Sequence, residues 1–230
     1  ETDFLEWYST PTQPMADLLA IGLSYRKNQV VIIPPHMFTD PRLYACVRNT
    51  FQRAKITAHN GKFDLEVMCA WFNWQYTLAY DTMLAHYVLQ ETQGGHGLKD
   101  LAVTWLEYND NYEDRLIHSW FRANKIKKED QRYSMIPKAQ LYEYLAIDVA
   151  ATFELWPLLE AELKRQDLFN NPFCNTLMPI ANAIQHVEQN GIKIDRLYLQ
   201  QVDKYLETEK IPEALTQLQD IANTIVAEWL

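Results

Sequence analysis

The chain contains no apolar run long enough to cross a bilayer. Its longest apolar stretches, "LLAIGL" at 18–23 and "VVII" at 30–33, are strand-sized, whereas a spanning helix needs roughly 20 residues. No signal-peptide pattern is visible. Cysteine is scarce: Cys46, Cys69 and Cys174 stand far apart, with no CxxC spacing and no histidine beside them. That argues against a disulfide framework or a zinc centre and fits a reducing compartment. Basic charge is also short, with 21 Lys and Arg against 30 Asp and Glu and a net charge of −9. Such a balance ordinarily discourages a nucleic-acid partner. A carboxylate-lined metal site would invert that logic, because bound divalent cations become the largest local positive charge. An initiator methionine is missing, and the closing "IVAEWL" reads like the middle of a helix. The expectation is a piece of a longer protein, cut at both ends.

What is present favours a well-packed domain. Hydrophobic residues make up 48% and aromatics 13%, enough for a large core in one generous domain or one domain plus part of another. Residues 18–35 read as two strands joined by a polar turn at Arg26–Gln29. Residues 40–54 read as a helix with Asp40 as N-cap and Pro41 in its first turn. A short strand at Ile56–Ala58 follows, then a helix from Lys62 to about Phe72, another behind Asp81, and a fourth over 97–106. Lys138 to about Gln166 is a long helical pattern with Leu141, Leu145, Val149 and Phe153 on one face, and Pro157 should kink or restart it. Strands first, then strands and helices mixed, indicate an α/β domain. "NNPFCN" at 170–175 reads as a boundary, followed by a helix ending at Gly191 and a second long helix from Leu197.

Three constellations carry candidate chemistry. In "HNGKFD" at 59–64, Asn60 and Asp64 are four apart where a strand hands over to a helix. Four residues is one helical turn, so both would face one side. Capping explains the pair as well as a metal site does, since a helix N-terminus favours negative charge by about 0.3–1 kcal/mol. In "YLAID" at 144–148, Tyr144 and Asp148 share that spacing at the edge of the buried stripe. A carboxylate among Ala146, Ile147, Val149, Ala150 and Ala151 needs a cation or donor close by, which an arginine would satisfy as well as a metal. The "ETD" at 1–3 means little by itself. Together, Glu1, Asp64 and Asp148 form an all-oxygen set suited to Mg2+ or Mn2+. Two such ions can clamp the attacking and leaving oxygens of a phosphodiester, and a tyrosine one turn from a ligand can orient water. Asp81 is most simply a helix N-cap, Leu98 and Leu101 read as core, and His96 among glycines gives no phosphate-loop signature. From Arg115 to Lys138 seven Lys and Arg face two acids, a local +5 that reads as a solvated loop or as a contact with phosphates.

The quoted motifs, with "YDTML" at 80–84, "HGLKDLA" at 96–102 and "LMPIANAIQHVEQNGIKID" at 177–195, resemble a known family. They are similar to the tyrosine subgroup of DEDD-type 3′–5′ exonucleases, and more closely to the exonuclease domain of family-A DNA polymerases. The resemblance covers essentially the whole chain. It implies an α/β, ribonuclease H-like mixed sheet flanked by helices over residues 1–170, and helices beginning a polymerase module over 171–230. It implies Glu1, Asp64 and Asp148 as ligands of two divalent cations, Mg2+ or Mn2+, with Tyr144 orienting the water. His59, Asn60 and Phe63 would flank the terminal nucleotide.

The family's first motif also has an aspartate two residues before its glutamate, and the sequence starts at Glu1. The resemblance therefore implies a missing first strand and impaired metal binding in the chain as given. The implied partners are a single-stranded DNA 3′ end and the polymerase module of the same chain, with no membrane. The implied compartment is the cytoplasm of a bacterial or phage-infected cell, with an organelle as the alternative. Three rivals stand beside this reading: an inactive exonuclease-like scaffold, a stand-alone exoribonuclease of the same superfamily, and a nucleic-acid-binding module that uses the basic stretch at 115–138 and binds in a salt-dependent way without turnover.

Overall fold

The computed structural model describes residues 2–4, 16–92, 94–108, 112–190 and 193–229. Glu1–Gln189 forms one compact unit and Asn190–Leu230 a second. Strands in the first unit are short and pair in twos. β1 (Thr2–Phe4) runs antiparallel to β2 (Ala16–Leu18), and β3 (Ile21–Arg26) runs antiparallel to β4 (Gln29–Ile33). The hairpin turn lies where its polar residues put it, with Asn28 in the left-handed region at φ 62°. Leu18 falls outside that hairpin and pairs with Thr2 instead. β5 (Ile56–Ala58) and β6 (Leu78–Asp81) run parallel, joined by a crossover through α2 (Gly61–Phe72).

α1 (Pro41–Arg53) starts as the sequence suggests, with Asp40 accepting from the Arg42 N–H at 2.8 Å and Pro41 in the first turn. α2 is framed by two asparagines in left-handed conformation, Asn60 at φ 55° and Asn73 at φ 53°. Asparagine tolerates this region better than most residues. Asn60 therefore precedes the helix instead of riding on it, and its side chain makes no capping bond. The one-turn spacing that would place Asn60 and Asp64 on one helical face does not apply, because the two residues belong to different backbone conformations.

The cap of α2 comes from twenty residues away. The Asp81 carboxylate, 2% exposed at the end of β6, accepts from four backbone N–H groups. Asn60 donates at 3.1 Å and Gly61 at 2.8 Å, while Met83 at 2.9 Å and Leu84 at 3.2 Å open α3 (Thr82–Leu89). One carboxylate thus starts two helices and ties two neighbouring strand-to-helix junctions together. Glycine at 61 is required by packing: a Cβ there would lie 2.7 Å from the Ala58 Cβ and 2.8 Å from Leu78.

α4 (Leu98–Leu106) and α3 both pack on α6 (Lys138–Arg165), which also covers the β3–β4 hairpin. The hairpin lies so close that a Cβ on Gly22 would stand 2.6 Å from Val149 and 3.0 Å from Leu145. α6 continues through Pro157 as one helix of 28 residues, where the sequence suggests a kink or restart. Ala151, Leu155, Leu159 and Leu163 along it are wholly buried. Burial of each leucine contributes about 1.5–3 kcal/mol, which together exceeds the cost of about 3 kcal/mol for an interior proline. Leu98 and Leu101 belong to the same core, as expected. An aromatic cluster of Phe38, Tyr44, Phe51, Phe72 and Trp74 centres a second core under α1 and α2.

Residues 112–123 are continuously helical, a wider turn over Asp114–His118 running into α5 (Ser119–Ala123), and 124–137 is single turns and loop. α7 (Met178–Asn190) packs its first part into this unit: the Asn182 amide accepts from the Leu78 N–H at 2.9 Å and donates to the Leu78 carbonyl at 3.0 Å, and Lys62 pairs with Glu188 at 2.6 Å. The contact division consequently falls after Gln189, downstream of the composition change at 170–175. The second unit is helical, with α8 (Arg196–Tyr205) capped by Asp195 and α9 (Ile211–Trp229) following a wider turn over Leu206–Lys210. No described helix is long and apolar enough to cross a membrane.

Asp81→Ala should lower the unfolding free energy by about 2–4 kcal/mol, since it leaves four N–H groups without their acceptor. The measurement is a shifted urea midpoint at unchanged slope. A loss under about 1 kcal/mol would show that the junctions are held by something else.

Candidate active site

α6 presents Tyr144 and Asp148 one turn apart, and the structure gives both a dense set of partners. The Asp148 Oδ2 accepts from the Lys99 ammonium at 2.9 Å, and Oδ1 accepts from the Tyr112 hydroxyl at 2.5 Å. Lys99 and Asp148 are mostly buried, with side chains 19% and 14% exposed. The Lys99 ammonium also lies over the Tyr144 ring, 4.7 Å from its centroid, and over Tyr112 at 5.7 Å. The Tyr144 side chain is buried, and its hydroxyl donates to Glu113 Oε1 at 3.3 Å. Tyr133 donates to the same oxygen at 3.2 Å. Burial, then the adjacent Asp148 carboxylate, hold the Tyr112 phenol far above its ordinary pKa, so Tyr112 is a fixed donor.

The "HNGKFD" turn is positioned by the Asp81 clasp. His59 Nδ1 lies 2.9 Å from the Thr82 hydroxyl, which itself donates to the Ala58 carbonyl. Burial first, and the positive charge of Lys99 second, push the His59 pKa down to about 4, so the imidazole is neutral at pH 7. Lys99 therefore acts electrically on the turn at 59 while pairing with the carboxylate at 148. Asn60 and Asp64 are exposed and Phe63 is half-buried. Burial raises the Asp81 carboxyl above its usual range while its four N–H donors pull the other way. Its role is the predicted cap, extended to a second helix. His96 pairs with His86, ring nitrogen to ring nitrogen at 2.8 Å, and with the Thr92 carbonyl at 2.7 Å.

Glu1 lies outside the described residues. Among the described residues no three His, Cys, Asp or Glu side chains stand close enough to hold a metal ion. The donor chemistry of Asp64 and Asp148 is all oxygen and suits a hard divalent cation. Both Asp148 oxygens are already accepting from protein donors. In the basic stretch Arg122 is committed to Asp114 through two bonds of 2.7 and 2.9 Å, and Arg132 donates to the Glu129 and Gln131 carbonyls. Lys125, Lys127 and Lys128 are exposed.

Sequence reasoning missed Lys99, Tyr112 and Glu113. The apolar neighbours of Asp148 did signal that a cation or donor stands beside it. Nothing local says that it comes from α4, since the Lys99–Asp148 pair spans 49 residues.

A family model described as 3′–5′ exonuclease matches residues 6–164. Curated relatives include a DNA polymerase of Escherichia phage T5, 32% identical over 191 residues, which cover 78% of this chain and 22% of the relative. A DNA polymerase I of Chloroflexus aurantiacus is 29% identical over 208 residues, 85% of this chain and 21% of the relative. A DNA polymerase of Bacillus phage SP01 is 30% identical over 212 residues, again 85% and 22%. The chain spans about a fifth of the length of these relatives.

The His59 environment predicts an acid-sensitive step in stability. The unfolded chain takes up this proton near pH 6.5 and the folded chain only near 4. Between those values the unfolded state binds more protons, so stability is whole above pH 6.5 and falls by about 2–3 kcal/mol as pH drops toward 4. His59→Gln should flatten this part of a plot of urea midpoint against pH. An unchanged slope would assign the sensitivity to other groups.

Proposed function

The chain belongs to the 3′–5′ exonuclease family carried by family-A DNA polymerases, and we propose that it hydrolyses terminal phosphodiesters at a single-stranded DNA 3′ end. The product is a 5′-mononucleotide, and the role is proofreading within a longer polymerase. The observation that carries this reading is the family match over residues 6–164, which encloses Asp64, Tyr144 and Asp148. In this proposal residues 1–170 are the exonuclease part and 171–230 open the polymerase module. The host compartment is a bacterial or phage-infected cytoplasm, in keeping with relatives from bacteria and phages.

Glu1, Asp64 and Asp148 are the residues that would hold two Mg2+ or Mn2+ ions. Such ions supply positive charge that lowers the pKa of water and stabilises a departing 3′ oxygen. Tyr144 donates its O–H hydrogen bond to Glu113, which leaves its oxygen lone pairs to accept from a water O–H and aim that water at the phosphorus. Glu113, shared with Tyr133, fixes the direction of that phenol. His59, Asn60 and Phe63 flank the terminal nucleotide. A base or sugar stacked on Phe63 gains about 1–3 kcal/mol, and neutral His59 recognises polar edges without adding charge. Discrimination follows from fraying, because a mismatched end unpairs more easily and reaches the site as a single strand.

The test uses the protein expressed from its complete reading frame, Mg2+ or Mn2+, and single-stranded DNA labelled at its 5′ end. Stepwise shortening is expected. Asp64→Ala and Asp148→Ala should each reduce it by about 100- to 1000-fold, and Tyr144→Phe by about 10- to 100-fold. A well-folded protein that leaves the DNA intact would support the scaffold reading, and shortening of RNA alone would support the exoribonuclease. Full activity in both aspartate variants would place the site elsewhere.

A further inference from the structure

Lys99 is the second residue of α4, in the stretch "HGLKDLA", and nothing in its local pattern distinguishes it from a solvated lysine. The fold turns it inward. Its ammonium lies 2.9 Å from Asp148 Oδ2 and 4.7 Å from the centre of the Tyr144 ring, so one cation contacts two residues one turn apart on α6. Tyr112 completes the enclosure, donating to Asp148 Oδ1 with its ring tilted against that of Tyr144, centroids 6.0 Å apart. We propose that Lys99 is a positioning residue, which fixes the Asp148 carboxylate and the Tyr144 ring relative to each other so that α6 presents them as one unit. The inference rests on the exonuclease reading above and assigns that site a residue from α4.

Stability alone is a poor account of this pair. A mostly buried ion pair recovers little more than its desolvation cost, and well-packed apolar residues would serve the fold at least as well. The surroundings already supply such packing, with Leu101 and Ala102 of α4 and Leu141 of α6 buried in one core. Orientation is what an ammonium adds. A carboxylate on a rotatable side chain has its plane fixed when each oxygen accepts from a separate, rigidly held donor. Tyr144 is likewise held at both ends, by Lys99 against its ring face and by Glu113 at its hydroxyl. The charge of Lys99 also helps keep His59 neutral, which places its field at both the "HNGKFD" turn and the "YLAID" turn.

The experiment compares Lys99→Met, Lys99→Arg and Tyr112→Phe with the parent protein, expressed from its complete reading frame, on 5′-labelled single-stranded DNA. Thermal melts confirm that each variant folds. Lys99→Met should lower kcat about 10- to 100-fold while KM stays within about threefold, because the residue acts through Asp148 and Tyr144. Lys99→Arg keeps the charge and should recover most of kcat. Tyr112→Phe keeps the ring, removes only the donor to Oδ1, and should give a smaller loss of the same type. It carries the test if Lys99→Met does not fold. An active parent whose folded Lys99→Met or Tyr112→Phe variant retains kcat would overturn the inference and leave the exonuclease reading standing. A raised KM at unchanged kcat would overturn it too, by making Lys99 a substrate contact. A parent protein that shortens no DNA would remove the exonuclease reading and this inference together.

Discussion

The first unit depends on a buried anion satisfied entirely by backbone. Asp81 sits at the end of β6 with four N–H donors around it, two from the start of α2 and two from the start of α3. Helix N-termini leave N–H groups without internal partners, and each end carries partial positive charge. Placing one carboxylate between two such ends satisfies both and compensates its own burial. The close approach this needs is possible because residue 61 is glycine and residue 60 is an asparagine that tolerates the left-handed region. The shape of the "HNGKFD" turn is therefore set from outside the turn. His59 on one side of the clasp and Phe63 and Asp64 on the other take their positions from a residue of the neighbouring junction.

α6 does two jobs with one periodicity. Its wholly buried residues, Ala151, Leu155, Leu159 and Leu163, fall at four-residue steps and fasten the C-terminal half to the core. Toward the N-terminal half the stripe continues through Leu141 and Leu145, and Tyr144 and Asp148 flank it. A helix fixed by so much apolar contact has little freedom to rotate or slide, so the polar pair on its flank inherits that rigidity. Gly22, beneath Val149 and Leu145, keeps the hairpin tight against the same segment.

Local patterns were legible wherever local forces decide. The hairpin turn, the Asp40 and Asp81 caps, the core role of Leu98 and Leu101 and the span of α6 all follow from propensity, capping and period. The misreadings share a different cause. Asn60 looked like a residue on a helical turn because spacing cannot reveal a left-handed φ. Pro157 does not restart the helix, because the buried residues on either side of it outweigh the local cost of an interior proline. The second role of Asp81 and the whole contribution of Lys99, Tyr112 and Glu113 come from contacts across 20 to 49 residues, which leave no periodic trace. The apolar neighbours of Asp148 require a cation or donor beside it, and nothing local names α4 as the supplier.

The polar layer on α6 is costly to keep. Asp148, Lys99, Tyr112, Tyr144 and Glu113 form a connected set in or beside a core that apolar side chains would fill more cheaply. Each member is satisfied by another, which is the condition under which such a network can persist in a low-dielectric setting. The charges are arranged economically as well. Lys99 is paired with Asp148, and His59 is kept neutral by burial first and by the Lys99 charge second, so it adds no second positive charge. A layer kept polar, partnered within itself and carried on the longest described helix of the unit has the properties expected of groups retained for orientation. In the proposed hydrolysis, aiming a water molecule at phosphorus would require that orientation from the tyrosine and carboxylate that α6 carries.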